Sequence, residues 1–245
     1  MATILVLQHS RYEPPRRLGL TLRDQGFKLD IRQLHTSPEE GGDTLPPDLD
    51  AYAGLISLGG GQNVDEGHWW IEPECGLIRE AHRRELAVIG VCLGAQMVAK
   101  ALGGAVGKMD KPEAGFCPVS IVGSGQTDRI LAGLRWDHHQ FQSHGYEITE
   151  LPPGAENVIT SPASKVQCFK AGIRTYAFQF HFELDREGIE ALVREEAGIF
   201  ERAGVSVDEI HTQCDAHYAT FARLSDRLCV NLAAFGFAFD ELLSA

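Results

Sequence analysis

Cys92 stands between two glycines, at the point where an apolar strand pattern gives way to a helical one. Ala87–Val91 is short and apolar, as in a buried strand, whereas residues 95–102 have helical periodicity and precede two glycines. Gly90 and Gly94 flank the cysteine two residues away on either side. This layout is typical of a sharp strand-to-helix turn that lifts a nucleophile out of a sheet. The helix N-terminus would favour the thiolate, so the sequence predicts a cysteine nucleophile at this turn.

A histidine and a glutamate about ninety residues later are candidates for the base and its orienting group. His181 ends the apolar run 177–180, at the sheet edge where strands present side chains to ligands. Glu183 projects to the same side two residues later and can hold the second imidazole nitrogen. Alone, each residue fits a structural role, such as a buried thiol or a core histidine. Together, Cys92, His181 and Glu183 favour a catalytic triad.

Acyl transfer also requires hydrogen-bond donors for the oxyanion that develops on the substrate carbonyl. The backbone amide of Leu93, directly after the cysteine, is one candidate. Gly60, in the glycine loop 59–61 after another apolar strand, is the second. These two amides are the predicted oxyanion hole.

The elements around these residues alternate between strand and helix over the first hundred residues. The predicted strands cover residues 3–7, 28–34, 53–58 and 87–91, and the predicted helices cover residues 16–25, 74–85 and 95–102. This alternation predicts an α/β fold, a mostly parallel sheet with helices on both faces. Ligands bind at the carboxyl ends of such strands, so the glycine loop and Cys92 should share one edge.

Beyond Lys108 the pattern changes to short strand-like runs and then to helices. The short runs cover residues 116–122, 146–149, 157–160, 166–170 and 175–182, and they predict a small antiparallel region whose last strand returns to the main sheet. Helices are expected over residues 187–203, after the capping-box signature at residues 206–209, and in the apolar run 230–243. We expect residues 1–185 to form the catalytic domain and residues 186–245 to form a C-terminal helical extension packed on it.

Composition excludes several function classes. The chain has 245 residues and a formal net charge of −12, which argues against binding nucleic acid phosphates. Its six cysteines show neither CxxC pairs nor zinc spacing. We see no signal-peptide pattern and no apolar run long enough to cross a bilayer. The expectation is a cytoplasmic protein with free thiols, no metal and no cofactor, which binds neither nucleic acid nor membranes.

Two further groups have competing interpretations. His138, His139 and His144 are read as loop histidines near the mouth of the site, with a metal site as the alternative. Trp69 and Trp70 are read as a packing anchor, with a lid over the pocket as the alternative.

Three segments in this order resemble the class I, triad-type glutamine amidotransferases. They are LISLGGGQNVDE with the glycine loop, GVCLGAQ with the cysteine, and FQFHFE with the histidine and glutamate. The likeness extends to KALGG, EAGFCPVSI, SHGY and LPPGAENVITSPASKVQCFKAG, and covers residues 1 to about 185. It implies a flavodoxin-like fold and a free-standing domain similar to the amidotransferase domain of GMP synthases.

The resemblance also implies a reaction. Cys92 attacks the side-chain amide of glutamine, His181 handles the proton, ammonia leaves, and a γ-glutamyl thioester is hydrolysed to glutamate. Gly60 and Leu93 match the family's oxyanion hole. The chain departs from the family at Phe182, where proline is frequent.

Substrate contacts follow from the same resemblance. Gln96 matches a glutamine that contacts the substrate, and Gly145 and Tyr146 match the segment whose backbone holds its amino acid end. Gly61 departs from the family, because proline is usual there, and it loosens the oxyanion loop. Phe182 is expected to face away from the site.

The triad alone leaves three functions open. The first is glutamine hydrolysis, with ammonia passed to an acceptor on a synthetase or acceptor-protein partner. The second is hydrolysis of γ-glutamyl peptides or γ-glutamyl amines, decided on the leaving-group side by residues 62–70 and 138–142. The third is a binding or regulatory subunit that is catalytically idle. Formation of a homodimer through the apolar C-terminal helices is also open.

Overall fold

The computed structural model describes residues 2–237, which build one nine-stranded mixed sheet flanked by helices. The strands in chain order are β1 (Thr3–Gln8), β2 (Lys28–Gln33), β3 (Gly54–Ser57), β4 (Ala87–Val91), β5 (Ala105–Ile121), β6 (Asp137–Glu150), β7 (Glu156–Thr160), β8 (Cys168–Ala171) and β9 (Thr175–Phe178). The helices are α1 (Arg16–Asp24), α2 (Ile71–Arg83), α3 (Leu93–Ala101), α4 (Arg186–Glu195), α5 (Ala197–Ala203) and α6 (Val207–Asn231). A π-helical turn, Leu232–Gly236, follows α6.

The parallel half of the sheet has the order β2-β1-β3-β4-β9. Leu7 pairs with Ser57, Ser57 with Gly90, and Val91 with Phe178, so the carboxyl ends of these strands meet at one edge. The central strands are apolar throughout because helices cover both faces of the sheet. The predicted α/β fold with a mostly parallel sheet is confirmed.

Alternate residues of each central strand pack against different helices. On one face, residues such as Ile4 and Ile89 form a core with Leu18 of α1 and Leu224 of α6. On the other face, strand residues such as Val88 pack with apolar side chains of α2 and α3. This two-sided burial holds the strand ends, and hence the site residues that follow them, in fixed positions.

The antiparallel half is larger than the sequence predicted. β5 pairs with β6 and β7, and β8 lies between β7 and β9. The predicted strands 116–122 and 146–149 are only parts of β5 and β6. The charged stretch around Pro112 resembles a loop, and the pairing register shifts between Lys108 and Glu113, so the strand alternation is interrupted there.

The helical region after residue 185 packs on both halves of the sheet. The helix predicted over residues 187–203 is interrupted at Glu196, which separates α4 from α5. The capping box forms, with Ser206 and Glu209 exchanging hydrogen bonds at the start of α6. The predicted apolar run 230–243 is described only as far as residue 237, and its remainder lies outside the described residues. Within residues 2–237, every helix is too short or too polar to cross a membrane.

Candidate active site

The backbone at Cys92 forms a strained turn between β4 and α3. Its φ of 51° and ψ of −108° lie outside the regions that side-chain-bearing residues favour. A Cβ atom on Gly90 would lie 2.6 Å from the Gly94 carbonyl oxygen, and one on Gly94 would lie 1.9 Å from the Ser57 carbonyl oxygen. The Cys92 amide donates to the Phe178 carbonyl at 2.8 Å, which helps to hold the turn. Both flanking glycines are therefore required for α3 to begin this close to the sheet.

β9 ends at Phe178, so the predicted strand 175–182 was too long, and His181 and Glu183 follow it in an irregular segment that passes beside Cys92. His181 Nδ1 is 2.8 Å from Glu183 Oε1, and both side chains are buried. His181 Nε2 has no hydrogen-bond partner among residues 2–237, which leaves this nitrogen available for proton exchange with the thiol. Phe182, between them in sequence, turns into the core, with its ring 4.9 Å from the Phe178 ring. The structure thus brings the three predicted triad residues together.

Burial and mutual attraction set the proton affinities of this group. Burial raises the pKa of the Cys92 thiol, while His181 lowers it. Burial works against protonated His181, but Glu183 and Cys92 more than compensate and hold the pKa of His181 well above its ordinary value. Because burial disfavours both charges, a thiolate–imidazolium pair can form here only through the attraction between the two adjacent groups.

A cavity of about 500 Å³ opens over the sulfur, and we call it the Cys92 cavity. It is lined by six of the predicted site residues, namely Gly60, Cys92, Leu93, Gln96, Gly145 and Tyr146. Leu93 is the first residue of α3, so its amide has no acceptor within the helix. The Gly60 amide likewise donates no hydrogen bond to another described residue. Two backbone donors are thus placed beside the nucleophile.

Gln96 connects α3 to the segment on the opposite wall of the cavity. Its Nε2 donates to the Tyr146 carbonyl oxygen and to Gln179 Oε1, each at 3.2 Å. These bonds fix the side chain, which is almost fully buried. Gln96 therefore ties the predicted substrate-holding strand to the helix that carries the nucleophile.

Sequence reasoning missed two neutral polar residues that touch the sulfur. Gln179 Nε2 lies 3.8 Å from Cys92 Sγ, and the thiol donates to the Ser143 carbonyl oxygen at 3.8 Å. Gln179 is the first residue after β9 and precedes His181 by two residues, a spacing that in an extended chain puts two side chains on the same side. The alternation that selected Glu183 would therefore also have selected Gln179.

Sequence reasoning also missed a buried carboxyl group beside the imidazole. Glu13, in the loop after β1, is 2% exposed, and its Oε2 lies 3.9 Å from His181 Nδ1. Burial, together with the carboxylates of Glu196 and Glu183, raises the pKa of Glu13 to about 8. A Cβ atom on Gly59 would lie 1.8 Å from Glu13 Oε2, so only glycine leaves room for this carboxyl group. The available sequence signal was its position after a strand that ends at the site edge.

Glu196 is the third carboxyl group near the imidazole and comes from the junction between α4 and α5. It accepts a hydrogen bond from the Ser143 hydroxyl, and it lines the Cys92 cavity. Burial raises its pKa, whereas the Ser143 hydroxyl and His181 lower it. The helical region after residue 185 thus contributes directly to the site.

The three clustered histidines lie on strand β6 rather than in a loop, so that prediction was wrong. Their polar side chains gave no apolar strand pattern, although residues 140–144 of this strand are all buried. His144 lines the Cys92 cavity, His138 is buried, and His139 stacks on His217 with ring centroids 4.1 Å apart. No group of three or more potential metal ligands occurs among residues 2–237.

A buried polar network next to the glycine loop 59–61 holds that loop in place. His9 Nε2 lies 2.8 Å from Glu74 Oε2, and the Ser57 hydroxyl donates to Glu74 Oε1 at 2.6 Å. The Trp70 ring packs against His9 at 4.4 Å and is buried, which fits a packing anchor, while Trp69 is more exposed. These contacts join the ends of β1 and β3 to α2 and so fix the loop that carries Gly60.

Comparison with known proteins places the chain in a family. A family model described as glutamine amidotransferase class-I matches residues 17–192. One subunit of the glutamine-hydrolyzing GMP synthase of Thermoplasma acidophilum is 31% identical over 176 residues, covering 69% of this chain and 85% of that protein. The protein of the same name from Sulfolobus acidocaldarius is 38% identical over 105 residues, covering 42% of this chain and 54% of the relative. In that match the chain spans only about half the length of its relative.

Solved structures share the fold over nearly the whole chain. A glutamine amido transferase from Methylobacillus flagellatus has a TM-score of 0.83 at 24% identity, and the match covers 94% of each chain. At this identity the likeness concerns the fold, including the helices after residue 185. Because the family model covers well over half of the residues, the chain belongs to the class I glutamine amidotransferases.

Proposed function

We propose that the chain hydrolyses the side-chain amide of glutamine through a γ-glutamyl thioester on Cys92, releasing glutamate and ammonia. The observation that carries the proposal is the strained Cys92 turn, which places the sulfur beside the buried His181–Glu183 pair and in a cavity with two free backbone amides. A structural thiol needs neither a strained backbone nor an oriented imidazole.

The reaction follows from the positions of these groups. The Cys92 sulfur attacks the amide carbon, and the amides of Gly60 and Leu93 stabilise the oxyanion. His181 passes a proton to the leaving nitrogen, the carbon–nitrogen bond breaks, and ammonia departs. Water then attacks the thioester with His181 as the base, which releases glutamate and restores the thiol. Glu183 keeps the imidazole oriented through both steps.

The amino acid end of the substrate is proposed to lie at the opposite wall of the cavity. Gly145 and Tyr146 present backbone groups there, and Gln96 is tied to the Tyr146 carbonyl oxygen. A ligand held at this wall extends its side-chain amide towards Cys92. Binding and bond cleavage are thus assigned to different walls of one cavity.

The released ammonia is proposed to pass to an acceptor on a synthetase partner. Support comes from the names of the relatives, which are subunits of glutamine-hydrolyzing GMP synthases. In such an assembly, ammonia would be delivered to the partner rather than discharged into water. Adding a candidate synthetase should raise the rate of glutamate release if the partnership exists.

Replacing the nucleophile tests the proposed reaction. Cys92→Ala should abolish glutamate release from glutamine and also prevent labelling by a glutamine-derived chloroketone. The matched control is Cys117→Ala, because this half-buried thiol lies outside the Cys92 cavity and burial raises its pKa to about 12. The control should keep both turnover and labelling. Unchanged turnover in Cys92→Ala would refute the thioester, and a folded wild type that resists labelling would favour a catalytically idle binding protein.

A further inference from the structure

A second cavity of about 490 Å³ adjoins the Cys92 cavity, and we call it the Glu13 cavity. The two cavities share Gly61, Gln62 and Glu196 as a common wall. Glu13 lines the second cavity, and its carboxyl group lies 3.9 Å from the imidazole of His181. Glu13 approaches the imidazole on its Nδ1 side, whereas the leaving group would take its proton from Nε2, so a leaving group reaches the Glu13 cavity along the shared wall.

The carboxyl group of Glu13 lacks a hydrogen-bond donor. No hydrogen bond from residues 2–237 reaches it, its side chain is 3% exposed, and its oxygen atoms are not among the fully buried polar atoms that lack a partner, so they face the cavity. Its nearest cationic partner is His181 Nδ1, but the proton on that nitrogen points to Glu183 Oε1 at 2.8 Å. Buried carboxyl groups are normally paired, because desolvation without a partner is costly. A donor supplied by a ligand in the cavity would complete this group.

The charges around the cavity favour a cation. Glu195 and Glu196 line it together with Glu13. The opposing cation, Arg11, is exposed and lies over the Tyr12 ring, 5.1 Å from its centroid.

The two histidines of the cavity do not offset this acidic character. His9 has both ring nitrogens engaged, by the Leu58 carbonyl oxygen at 3.0 Å and by Glu74 at 2.8 Å. His35 is exposed. Glu195 and Arg11 are both exposed, so Glu13 and Glu196 set the character of the buried part of the cavity. Burial raises the pKa of both carboxyl groups, so an ammonium group that binds there would displace a proton from Glu13 and pair with the carboxylate.

We propose that the Glu13 cavity binds a protonated amine carried by the leaving group of a γ-glutamyl amide. This inference rests on the proposed function and names a substrate class for the same nucleophile. The γ-glutamyl half of the substrate lies in the Cys92 cavity, and the leaving group crosses the shared wall at Glu196. Its terminal ammonium displaces the proton of Glu13 and pairs with the carboxylate.

The bond changes are those of amide hydrolysis, and no oxidant or further reactant is needed. The Cys92 sulfur bonds to the γ-carbon, the bond from that carbon to the leaving nitrogen breaks, and His181 protonates this nitrogen. A diamine then departs with its second ammonium still intact. Water hydrolyses the thioester to glutamate, as it does with glutamine.

Three γ-glutamyl amides of equal chain length test the proposal. Their leaving groups are a diamine, an alkylamine and an ω-amino acid, so the distal end is an ammonium, a methyl group or a carboxylate. We expect kcat/KM for the ammonium compound to exceed that for the methyl compound by about tenfold or more, with the carboxylate compound lowest. Equal values for the ammonium and methyl compounds would overturn the proposal.

Substitution of Glu13 tests whether this residue causes the preference for the ammonium compound. Glu13→Gln should reduce the ammonium-to-methyl ratio to about two or less, and a uniform rate loss through His181 cannot change this ratio. The matched control is Glu190→Gln, because Glu190 is an exposed carboxylate of α4 that lines neither cavity. The control should keep the full preference. A preference that survives in a folded Glu13→Gln variant would refute the assignment.

A second variant and a reference substrate distinguish a failed fold from a failed proposal. If Glu13→Gln does not fold, Glu196→Gln, on the shared wall, should also reduce the ratio, and an unchanged ratio there would refute the proposal. Glutamine is included as a substrate in every assay. A wild type that hydrolyses glutamine but shows no ammonium preference refutes only the leaving-group site, whereas failure on every γ-glutamyl amide refutes the proposed function.

Discussion

One imidazole carries the proposed chemistry, and three carboxyl groups surround it. Glu183 bonds to His181, while Glu13 lies 3.9 Å from the same ring nitrogen. Glu196 is near enough to raise the pKa of Glu13. Three buried carboxyl groups this close together cannot all be ionised at once, so their roles should differ. Glu183 orients the imidazole, and the other two face the cavities.

Replacing Glu183 tests its orienting role. Glu183→Gln can offer an amide N–H to His181 Nδ1, which would leave the proton on Nε2 and prevent that nitrogen from accepting the thiol proton. We expect glutamate release to fall by roughly 10²–10⁴-fold, as for a carboxylate that sets the tautomer in other triads. The pKa of His181 should also fall, because Glu183 raises it.

Steady-state assays and a pH–rate profile measure the effect of Glu183→Gln. The exposed Glu190→Gln variant serves as the control and should retain wild-type rates. Wild-type activity in folded Glu183→Gln would contradict the orienting role.

Glu13 should make stability depend on pH. Its pKa rises from an ordinary 4.5 to about 8 in the folded chain, so between these values the folded state holds a proton that the unfolded state has released. The free energy of unfolding therefore decreases as pH rises across this window, and the loss is complete above pH 8. At about 1.4 kcal/mol per pKa unit, the loss is at most about 5 kcal/mol.

Urea unfolding of the wild type and of Glu13→Gln at pH 6 and pH 9 measures this contribution. Glutamine cannot ionise, so the variant should lose less stability between the two pH values, and its advantage should appear at pH 9. Parallel losses in both proteins would show that Glu13 titrates normally.

At this scale the meeting of Cys92, His181 and Glu183 was predictable, but the other carboxyl groups around the imidazole were not. Cys92 was indicated by the glycines on either side, and His181 and Glu183 by strand alternation. Glu13 and Glu196 reach the imidazole from the loop after β1 and from the junction of α4 and α5. Local periodicity cannot show such a meeting, because it depends on how separate elements pack.

At the scale of elements, the position of α3 depends on Gly94. A Cβ atom there would lie 1.9 Å from the Ser57 carbonyl oxygen, and this backbone atom cannot move without disturbing β3. We expect Gly94→Ala to destabilise the fold by about 1–3 kcal/mol and to reduce activity strongly, because the Cys92 turn must shift.

The matched control is Gly76→Ala in α2, where a new Cβ atom meets nothing within 4 Å. This change should stabilise the protein by about 0.5–1 kcal/mol, since alanine favours helix over glycine. Urea unfolding and glutamate release measure both variants. If Gly94→Ala behaved like Gly76→Ala, the close approach of α3 to the sheet would be refuted.

Elements with unbroken patterns were predicted well, and interrupted ones were not. The apolar strands β1, β3 and β4 lie within a residue of their predicted bounds, because burial on both faces keeps them uniformly apolar. The paired strands β5 and β6 were predicted too short, since the residues around Pro112 are charged and the register shifts there. The sequence around Glu196 contains no proline, so nothing in it predicts the break between α4 and α5.

At the scale of the whole molecule, the helices after residue 185 complete the core. Phe116 of β5 and Phe141 of β6 pack with Phe200 of α5 and Phe221 of α6 in one buried cluster. Without these helices, both sheet residues would face water. The division into a domain of residues 1–185 and an extension stays a prediction, and this shared cluster argues that the first part needs the second for stability.

Two phenylalanines of the same helical region test that dependence. Phe221 is 1% exposed and packs against Phe116 at 5.4 Å, so Phe221→Ala should destabilise the protein by about 3–5 kcal/mol. Phe235 is 52% exposed, and Phe235→Ala should change stability by less than about 0.5 kcal/mol. Urea denaturation measures both. Similar small effects would show that the helices after residue 185 contribute little to the fold.

The break at Glu196 places one helix-joint residue in the wall of both cavities. Cys92 and His181 follow strands of the sheet, where any displacement disturbs the core on both faces. Glu196 stands at a joint between two short helices, so a substitution there changes the wall of both cavities without replacing a residue of the sheet. We therefore expect a change of residue at this joint to alter substrate preference while the nucleophile and its base stay in place.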